Sequence, residues 1–78
     1  MTVEVTRDDP SGEWVTEIPT DYWEGFKEYA REVRLSFRKQ GTGQNTIRIT
    51  LPAGLLKADI DERIGYFFDG IAEVTTSE

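Results

Sequence analysis

The residues of this chain that could do chemistry are its carboxylates. The chain has 15 Asp and Glu residues but no histidine and no cysteine, so the commonest general base and the best metal ligands are missing. Two carboxylates hydrolyse a glycosidic bond only when they face each other across a cleft. The sequence indicates no such cleft for either group of neighbouring acids. Asp8 and Asp9 lie in a turn-rich stretch, and the second group is Asp59, Asp61 and Glu62. We therefore predict a protein that is not an enzyme, with no catalytic residue, metal site or cofactor.

One set of carboxylates has a regular spacing. Glu24, Glu28 and Glu32 are four residues apart in a segment with helical periodicity, and Asp21 lies just before them. Neighbouring carboxylates at this spacing stand about 6 Å apart on a helix surface and destabilise the helix by roughly 0.2–0.5 kcal/mol per pair. Helix stability therefore does not explain why these acids stand in a row.

Two interpretations of this acidic row are open. In the first, Lys27 and Arg31 form ion pairs with the neighbouring glutamates, and the row is an ordinary solvated surface. In the second, Glu13 and Glu17 extend the row into an acidic face that binds a basic partner, with Trp23 as an aromatic anchor at its edge. A DNA strand carries one charge per about 3.4 Å, so imitation of DNA would require a second acidic row beside the first.

Charge is sorted along the chain. Residues 1–32 hold nine acids and three bases, residues 33–58 hold five bases and no acid, and residues 59–78 hold six acids and one base. The basic segment offers an alternative site, for nucleic acid, which consists of Arg34, Arg38, Lys39 and Arg48. In a competing interpretation, these arginines pair with glutamates across a sheet and neutralise it internally. The net charge of -6 favours a basic partner over nucleic acid.

The first third of the chain predicts a hairpin followed by a helix. The strands are "TVEVT" (2–6) and "EWVTEI" (13–18), and they flank the turn sequence "RDDPSG". Thr20 or Asp21 is expected to cap the helix that follows. Its apolar residues recur at intervals of three and four, and they are Tyr22, Trp23, Phe26, Tyr29, Ala30 and Val33.

A second hairpin is predicted over residues 33–51. Apolar and polar residues alternate on both sides of "GTG", and folding the chain at that sequence sets Phe37 opposite Ile47. The glycines of "GTG" would supply the positive φ that a tight hairpin needs. In the alternative interpretation, the preceding helix continues through Lys39 and ends at Gly41.

The last part of the chain predicts a second helix, with its apolar residues at Leu56, Ile60, Ile64 and Phe67. The sequence "DG" at 69–70 would end this helix, and residues 71–76 fit either a short strand or a frayed helical turn. The sum is one α+β domain over residues 1–78. It has a mainly antiparallel sheet of about four strands with two helices packed on one face.

In its size, its acidity and its lack of catalytic groups, the chain resembles the small proteins that bacteriophages make to block host defences, including anti-CRISPR proteins that imitate DNA. The resemblance implies a non-enzymatic inhibitor, encoded by a phage or mobile element, that occupies the nucleic-acid-binding surface of a host defence complex. The partner-binding residues would be Glu13, Glu17, Asp21, Trp23, Glu24, Glu28 and Glu32. The alternative is a small nucleic-acid-binding regulator that uses the basic hairpin over 33–51.

Location and assembly are further expectations. The amino-terminal sequence "MTVEVTRDD" does not have the basic and apolar segments of a leader, and no segment approaches the roughly 18 apolar residues that span a bilayer. We expect a soluble protein of the cytoplasm, which is the host cytoplasm for a phage protein. The aromatic content of 12% is compatible with a homodimer.

Overall fold

The chain folds into a five-stranded mixed sheet with two helices on one face, in a computed structural model that describes all residues 1–78. The elements are β1 (Thr2–Arg7), β2 (Trp14–Pro19), α1 (Trp23–Glu32), β3 (Arg38–Gly43), β4 (Thr46–Leu51), α2 (Lys57–Phe67) and β5 (Glu73–Ser77). The strand order is β3-β4-β2-β1-β5, and every pair is antiparallel except β1 with β5. The α+β class with two helices is confirmed. The sheet has five strands where a mainly antiparallel sheet of about four was predicted, because residues 73–77 form a strand that pairs parallel with β1.

The predicted first hairpin is present. Arg7 of β1 lies opposite Trp14 of β2, and the backbone N–H of Asp8 donates to the carbonyl of Glu13 at 2.7 Å. The Asp8 carboxylate also accepts a hydrogen bond from the Ser11 hydroxyl at 2.8 Å. Asp8 therefore serves the turn, in agreement with its interpretation as a turn residue.

The second hairpin differs from both predictions. Its turn is Gln44–Asn45, and Thr42, not Phe37, lies opposite Ile47. The residue with positive φ in this turn is Asn45, at 61°, whereas neither glycine of "GTG" has a positive φ. Asparagine tolerates this conformation because its short polar side chain can bond locally.

The segment between α1 and β3 is neither strand nor helix, because α1 ends in a Schellman motif. Arg34 has a φ of 58°, the N–H of Leu35 donates to the carbonyl of Ala30 at 2.8 Å, and the N–H of Arg34 donates to Arg31 at 3.3 Å. Leu35 and Ala30 are both buried, which supplies the apolar contact that accompanies this motif. The left-handed position of this motif is usually a glycine. Because an arginine occupies it here, the sequence alone does not indicate the motif.

The start of α1 also differs from the prediction. A short 3-10 turn (Thr20–Tyr22) precedes the helix, and no side chain caps its first turn. The backbone N–H and the hydroxyl of Thr20 both donate to the carbonyl of Asn45, at 3.0 and 3.3 Å. Thr20 therefore ties the beginning of the helical layer to the β3–β4 turn.

The core lies between the sheet and the two helices. Its members are buried and belong to every strand except the two edge strands, to both helices and to the residues that follow the helices: Val3, Val5, Trp14, Ile18, Phe26, Ala30, Leu35, Ile47, Ile49, Leu51, Ile60, Ile64 and Phe68. Leu56, predicted as part of the apolar side of α2, is instead 66% exposed just before the helix. Its backbone N–H donates to the Asp59 carboxylate at 3.0 Å, which satisfies one free donor at the helix start.

Candidate functional site

The predicted acidic face does not exist as one surface, because its members lie on opposite sides of the sheet. On β2, Thr16 and Ile18 point into the core, so Glu17 points to the opposite face of the sheet. No helix packs on that face, and we call it the uncovered face. Glu13 lies on the same side, beside Val15 and Arg48. The remaining residues of the predicted set belong to the helical layer, and they are Asp21, Trp23, Glu24, Glu28 and Glu32.

Glu13 and Glu17 are paired within the fold. Nη2 of Arg38 lies 3.4 Å from the Glu13 carboxylate, and Nη2 of Arg48 lies 3.6 Å from that of Glu17. The Thr46 hydroxyl donates to Glu17, and this hydrogen bond holds the pKa of the Glu17 carboxyl below its usual value, with Arg48 adding to the effect. The interpretation that these arginines pair with glutamates across the sheet is therefore confirmed for both.

The Glu17 carboxylate occupies a place that glycine leaves open. A Cβ atom on Gly43 would lie 2.6 Å from Oε1 of Glu17 and 2.6 Å from Oγ1 of Thr46. Such distances are shorter than van der Waals contact, so the glycine at this point of β3 permits the close approach. The glycine predicted as a turn residue thus serves a polar cluster on the uncovered face.

The four residues of the alternative nucleic-acid site do not converge. Arg38 and Arg48 lie on the uncovered face, where they are paired with glutamates. Lys39 lies opposite Ile49 in the β3–β4 register and therefore on the other side of the sheet, and Arg34 lies in the Schellman motif after α1. No single basic patch results, although the sequence places all four in one segment.

The outer surface of α1 carries both signs of charge. Nζ of Lys27 lies 3.0 Å from the Glu24 carboxylate and 5.5 Å from the centre of the Trp23 ring. Trp23 is half-buried and packs edge-on against Phe37, so its ring belongs partly to the core. On this side of α1 the solvated-surface interpretation is confirmed for Glu24.

The side of α1 that meets α2 differs. Tyr29 stacks on Tyr66 of α2, with ring centres 6.1 Å apart and planes 21° apart. Glu32 is three residues after Tyr29, so its carboxylate lies towards this side. Glu28 is one turn before Glu32 and lines the outer surface of α1 with Glu24, Lys27 and Arg31. Glu28 and Glu32 are both exposed, and no ion pair within 4.0 Å involves either of them.

Hydrogen bonds fix the two helices together beneath these residues. The Tyr29 hydroxyl donates to the backbone carbonyl of Arg63 at 2.8 Å, and Nη1 of Arg63 donates to the carbonyl of Val33 at 2.7 Å. Burial raises the pKa of the Tyr29 phenol; Arg63 opposes this shift, and Tyr66 and Glu62 add to it. We call the surface formed by Tyr29, Glu32, Glu62 and Tyr66, with Glu28 at its rim, the acidic–aromatic crease.

The sequence predicted only part of this crease. Glu28 and Glu32 were among the expected partner-binding residues, whereas Glu62 and Tyr66 were not. One signal was available, because Tyr66 lies two residues after the buried Ile64 and therefore away from the apolar side of α2. The packing of α1 against α2, which brings the five residues together, has no such local signal.

No group of three or more Asp, Glu, His or Cys side chains is arranged to hold a metal ion. Neither α1 nor α2 has the length and apolar character of a helix that crosses a membrane. The chain matches no protein-family model, no curated protein and no solved structure.

Proposed function

We propose that the protein is a non-enzymatic inhibitor that binds a basic, nucleic-acid-binding surface of a partner protein through the acidic–aromatic crease. The partner belongs to a host defence complex, and the inhibitor is of the kind that phages and other mobile elements encode. The crease keeps Glu28 and Glu32 of the predicted acidic row. It excludes Glu24, which is paired with Lys27, and Glu13 and Glu17, which are paired on the uncovered face.

The exposure of Tyr66 carries this proposal. The ring is 74% exposed, the largest value among the large hydrophobic side chains, yet it is stacked on a half-buried Tyr29 that is itself hydrogen-bonded to α2. An aromatic ring held in this way loses little conformational freedom on binding. Tyrosine is also among the residues that dominate binding energy at protein interfaces.

Carboxylates around the ring decide the character of the partner. Glu28 and Glu32 stand on one helix and Glu62 on the other, so carboxylates lie on both sides of the aromatic pair. Arginine and lysine side chains of a nucleic-acid-binding groove would pair with these carboxylates, and an arginine could also stack on the Tyr66 ring.

Affinity capture with matched variants tests the proposal. The tagged protein is incubated with host-cell lysate, and we expect the captured protein to be released by competing duplex DNA. Tyr66→Ala and the double variant Glu28→Lys/Glu32→Lys should each weaken capture by roughly thirtyfold, equivalent to about 2 kcal/mol. The control Glu4→Lys/Asp9→Lys makes the same change in net charge at exposed residues outside the crease and should bind normally.

Two results would contradict the proposal. One is a control variant that loses capture as fully as the crease variants, since overall charge would then explain binding. The other is direct binding of the unmodified protein to random duplex or single-stranded oligonucleotides at low salt, lost as salt is added, because this is the behaviour of a nucleic-acid-binding regulator.

A further inference from the structure

The two outer edges of the sheet are built differently. β3 has a bulge between Lys39 and Gly41, and a lysine and two glycines within six residues, which are typical devices against pairing with another strand. β5 forms an unbroken five-residue ladder with β1 and has no proline, glycine or lysine. Its central residues, Val74, Thr75 and Thr76, are β-branched and favour an extended strand. β5 therefore lacks the protection that β3 has.

The backbone of β5 offers free hydrogen-bonding groups at defined positions. The N–H of Glu73 donates to the carbonyl of Met1 at 3.0 Å, so Glu73 faces β1. Successive residues of a strand direct their backbone groups to opposite sides, so Thr75 and Ser77 also face β1. The N–H and C=O groups of Val74 and Thr76 point outward, and no residue of the described chain pairs with them.

We propose that β5 of a second copy of this chain pairs antiparallel with this edge, about a two-fold axis at Thr75. In this register Val74 lies opposite Thr76 of the second copy, so all outward N–H and C=O groups of both residues find partners in four hydrogen bonds. Glu73 lies opposite Ser77, which keeps the like charges of the two copies apart. Two five-stranded sheets thus become one continuous sheet of ten strands.

The groove beside β5 favours a second copy as the occupant. Lys57, Asp61, Gly65 and Asp69 line it at four-residue intervals along α2 and the turn after it. Asp69 lies near the start of β5 and Lys57 beyond its end, because α2 runs against the direction of the strand. The two-fold axis reverses the second copy, so Lys57 of each copy, which lies 3.1 Å from the Asp61 carboxylate of its own helix, also faces Asp69 of the other.

Gly65 lets the α2 helices of the two copies approach each other. No atom lies within 4 Å of the place that a Cβ on Gly65 would take, so the middle of the groove is open. On its other side, the edge is held in place before any pairing by its five-residue ladder with β1. A strand that is already ordered loses little entropy when it pairs.

The dimer goes beyond the proposed function and carries a consequence for it. Both helical layers lie on the same face of the ten-stranded sheet, so the dimer presents two acidic–aromatic creases on one side. The interface consists of one strand pair and one helix row, which is smaller than a standard interface. We therefore expect a dissociation constant of the order of 10 µM.

Sedimentation velocity and a cysteine scan test the dimer. The chain has no cysteine, so a single Thr75→Cys substitution can form only an intermolecular disulfide. Thr75 would form a non-hydrogen-bonded pair with its own copy, with Cα atoms about 4.5 Å apart, which suits a disulfide. With oxidised glutathione, this variant should cross-link at least about tenfold faster than the control Thr42→Cys on the edge strand β3, because of the higher effective concentration.

A proline scan separates pairing from folding. Proline at Thr76 removes an outward N–H and no bond to β1, so Thr76→Pro should remain folded and monomeric. Thr42→Pro on β3 is the matched control, because Thr42 also directs its N–H away from the neighbouring strand in the two-residue hairpin, and it should leave dimerisation unchanged.

A wild-type protein that stays monomeric up to about 1 mM would overturn the proposal. Equal cross-linking of the two cysteine variants would also overturn it, since the dimer would then use another surface.

Discussion

The two faces of the sheet are made from alternate residues of the same strands, yet they behave as two different surfaces. On β2, Trp14, Thr16 and Ile18 are at most 2% exposed beneath the helices, whereas Val15 is half-buried and Glu17 is exposed on the other face. The covered face is almost entirely apolar. The uncovered face is polar and pairs its own charges through Arg38 and Arg48.

This difference separates stability from binding. Burial of apolar area on the covered face provides most of the folding free energy in a domain of this size. Exposed ion pairs on the uncovered face contribute little to stability, and they also leave few free charges for a partner. The unpaired carboxylates Glu28 and Glu32 and the exposed Tyr66 ring lie on the outer surface of the two helices, on the far side of the core. Binding is therefore expected on the helical layer and not on the open sheet.

The largest expected effect is on the covered face. Trp14 is completely buried, and its indole N–H donates to the carbonyl of Leu55 at 2.9 Å. Trp14→Ala should lower the free energy of unfolding by about 3–5 kcal/mol, since it leaves a cavity and an unpaired carbonyl. Urea denaturation followed by circular dichroism measures the change. Val15→Ala, one residue along on the uncovered face, should cost about 1 kcal/mol or less, and equal losses at the two positions would contradict the distinction between the faces.

A smaller effect is expected at the rim of the covered face, where Arg7 lies opposite Trp14. Its guanidinium donates to the carbonyls of Gly12 and Ala53, at 3.1 and 3.2 Å, and to the Glu78 carboxylate at 2.8 Å. It also lies 4.9 Å from the centre of the Trp14 ring. Lysine cannot reproduce this planar set of donors, so Arg7→Lys should cost about 1–2 kcal/mol in urea denaturation.

The control for this change is Arg31→Lys on the outer surface of α1. Arg31 is exposed, and no side-chain hydrogen bond or ion pair involves it. We expect a change within about 0.5 kcal/mol. A loss at Arg31 as large as that at Arg7 would show that arginine is favoured over lysine for reasons other than the contacts at the rim.

Sequence periodicity predicted the elements better than their register. The first hairpin followed from alternation on either side of a strong turn sequence, and both helices followed from their apolar spacing. The second hairpin was misplaced because "GTG" and the following Gln44–Asn45 are both turn signals, and the twist and pairing of neighbouring strands decide between them. The Schellman motif at Arg34 was missed because an arginine occupies the position where glycine is usual.

The candidate site was predicted only in part, because periodicity indicates which side chains are exposed but not the register of the strands. Spacing along α1 correctly indicated that Glu24, Glu28 and Glu32 are exposed. It could not show which charges lie on the far side of the sheet, because a shift of one residue in register moves a side chain to the other face. Glu13 and Glu17 were therefore grouped with the helix from which the sheet separates them.

The smallest expected effect is on the uncovered face, at the pair formed by Glu17 and Arg48. Their side chains are 43% and 56% exposed and 3.6 Å apart, so a double-mutant cycle with Glu17→Gln and Arg48→Gln should give a coupling of about 0–1 kcal/mol. Added salt should reduce it, because exposed pairs are screened. A coupling of several kcal/mol would mean that the uncovered face contributes to stability as the covered face does.

The contribution of the same pair to the free energy of unfolding should also depend on pH. The pKa of Glu17 lies below its ordinary value of 4.5, so the unfolded chain binds a proton more readily than the folded chain. The stabilisation from this carboxylate is therefore fully present above about pH 5 and is lost as the pH falls through the folded pKa. Urea denaturation of the wild type and Glu17→Gln should show a stability difference that is constant near neutrality and shrinks below pH 4.5. A difference that grows on acidification would mean that the Glu17 pKa is raised in the fold, and that Thr46 and Arg48 do not satisfy its charge.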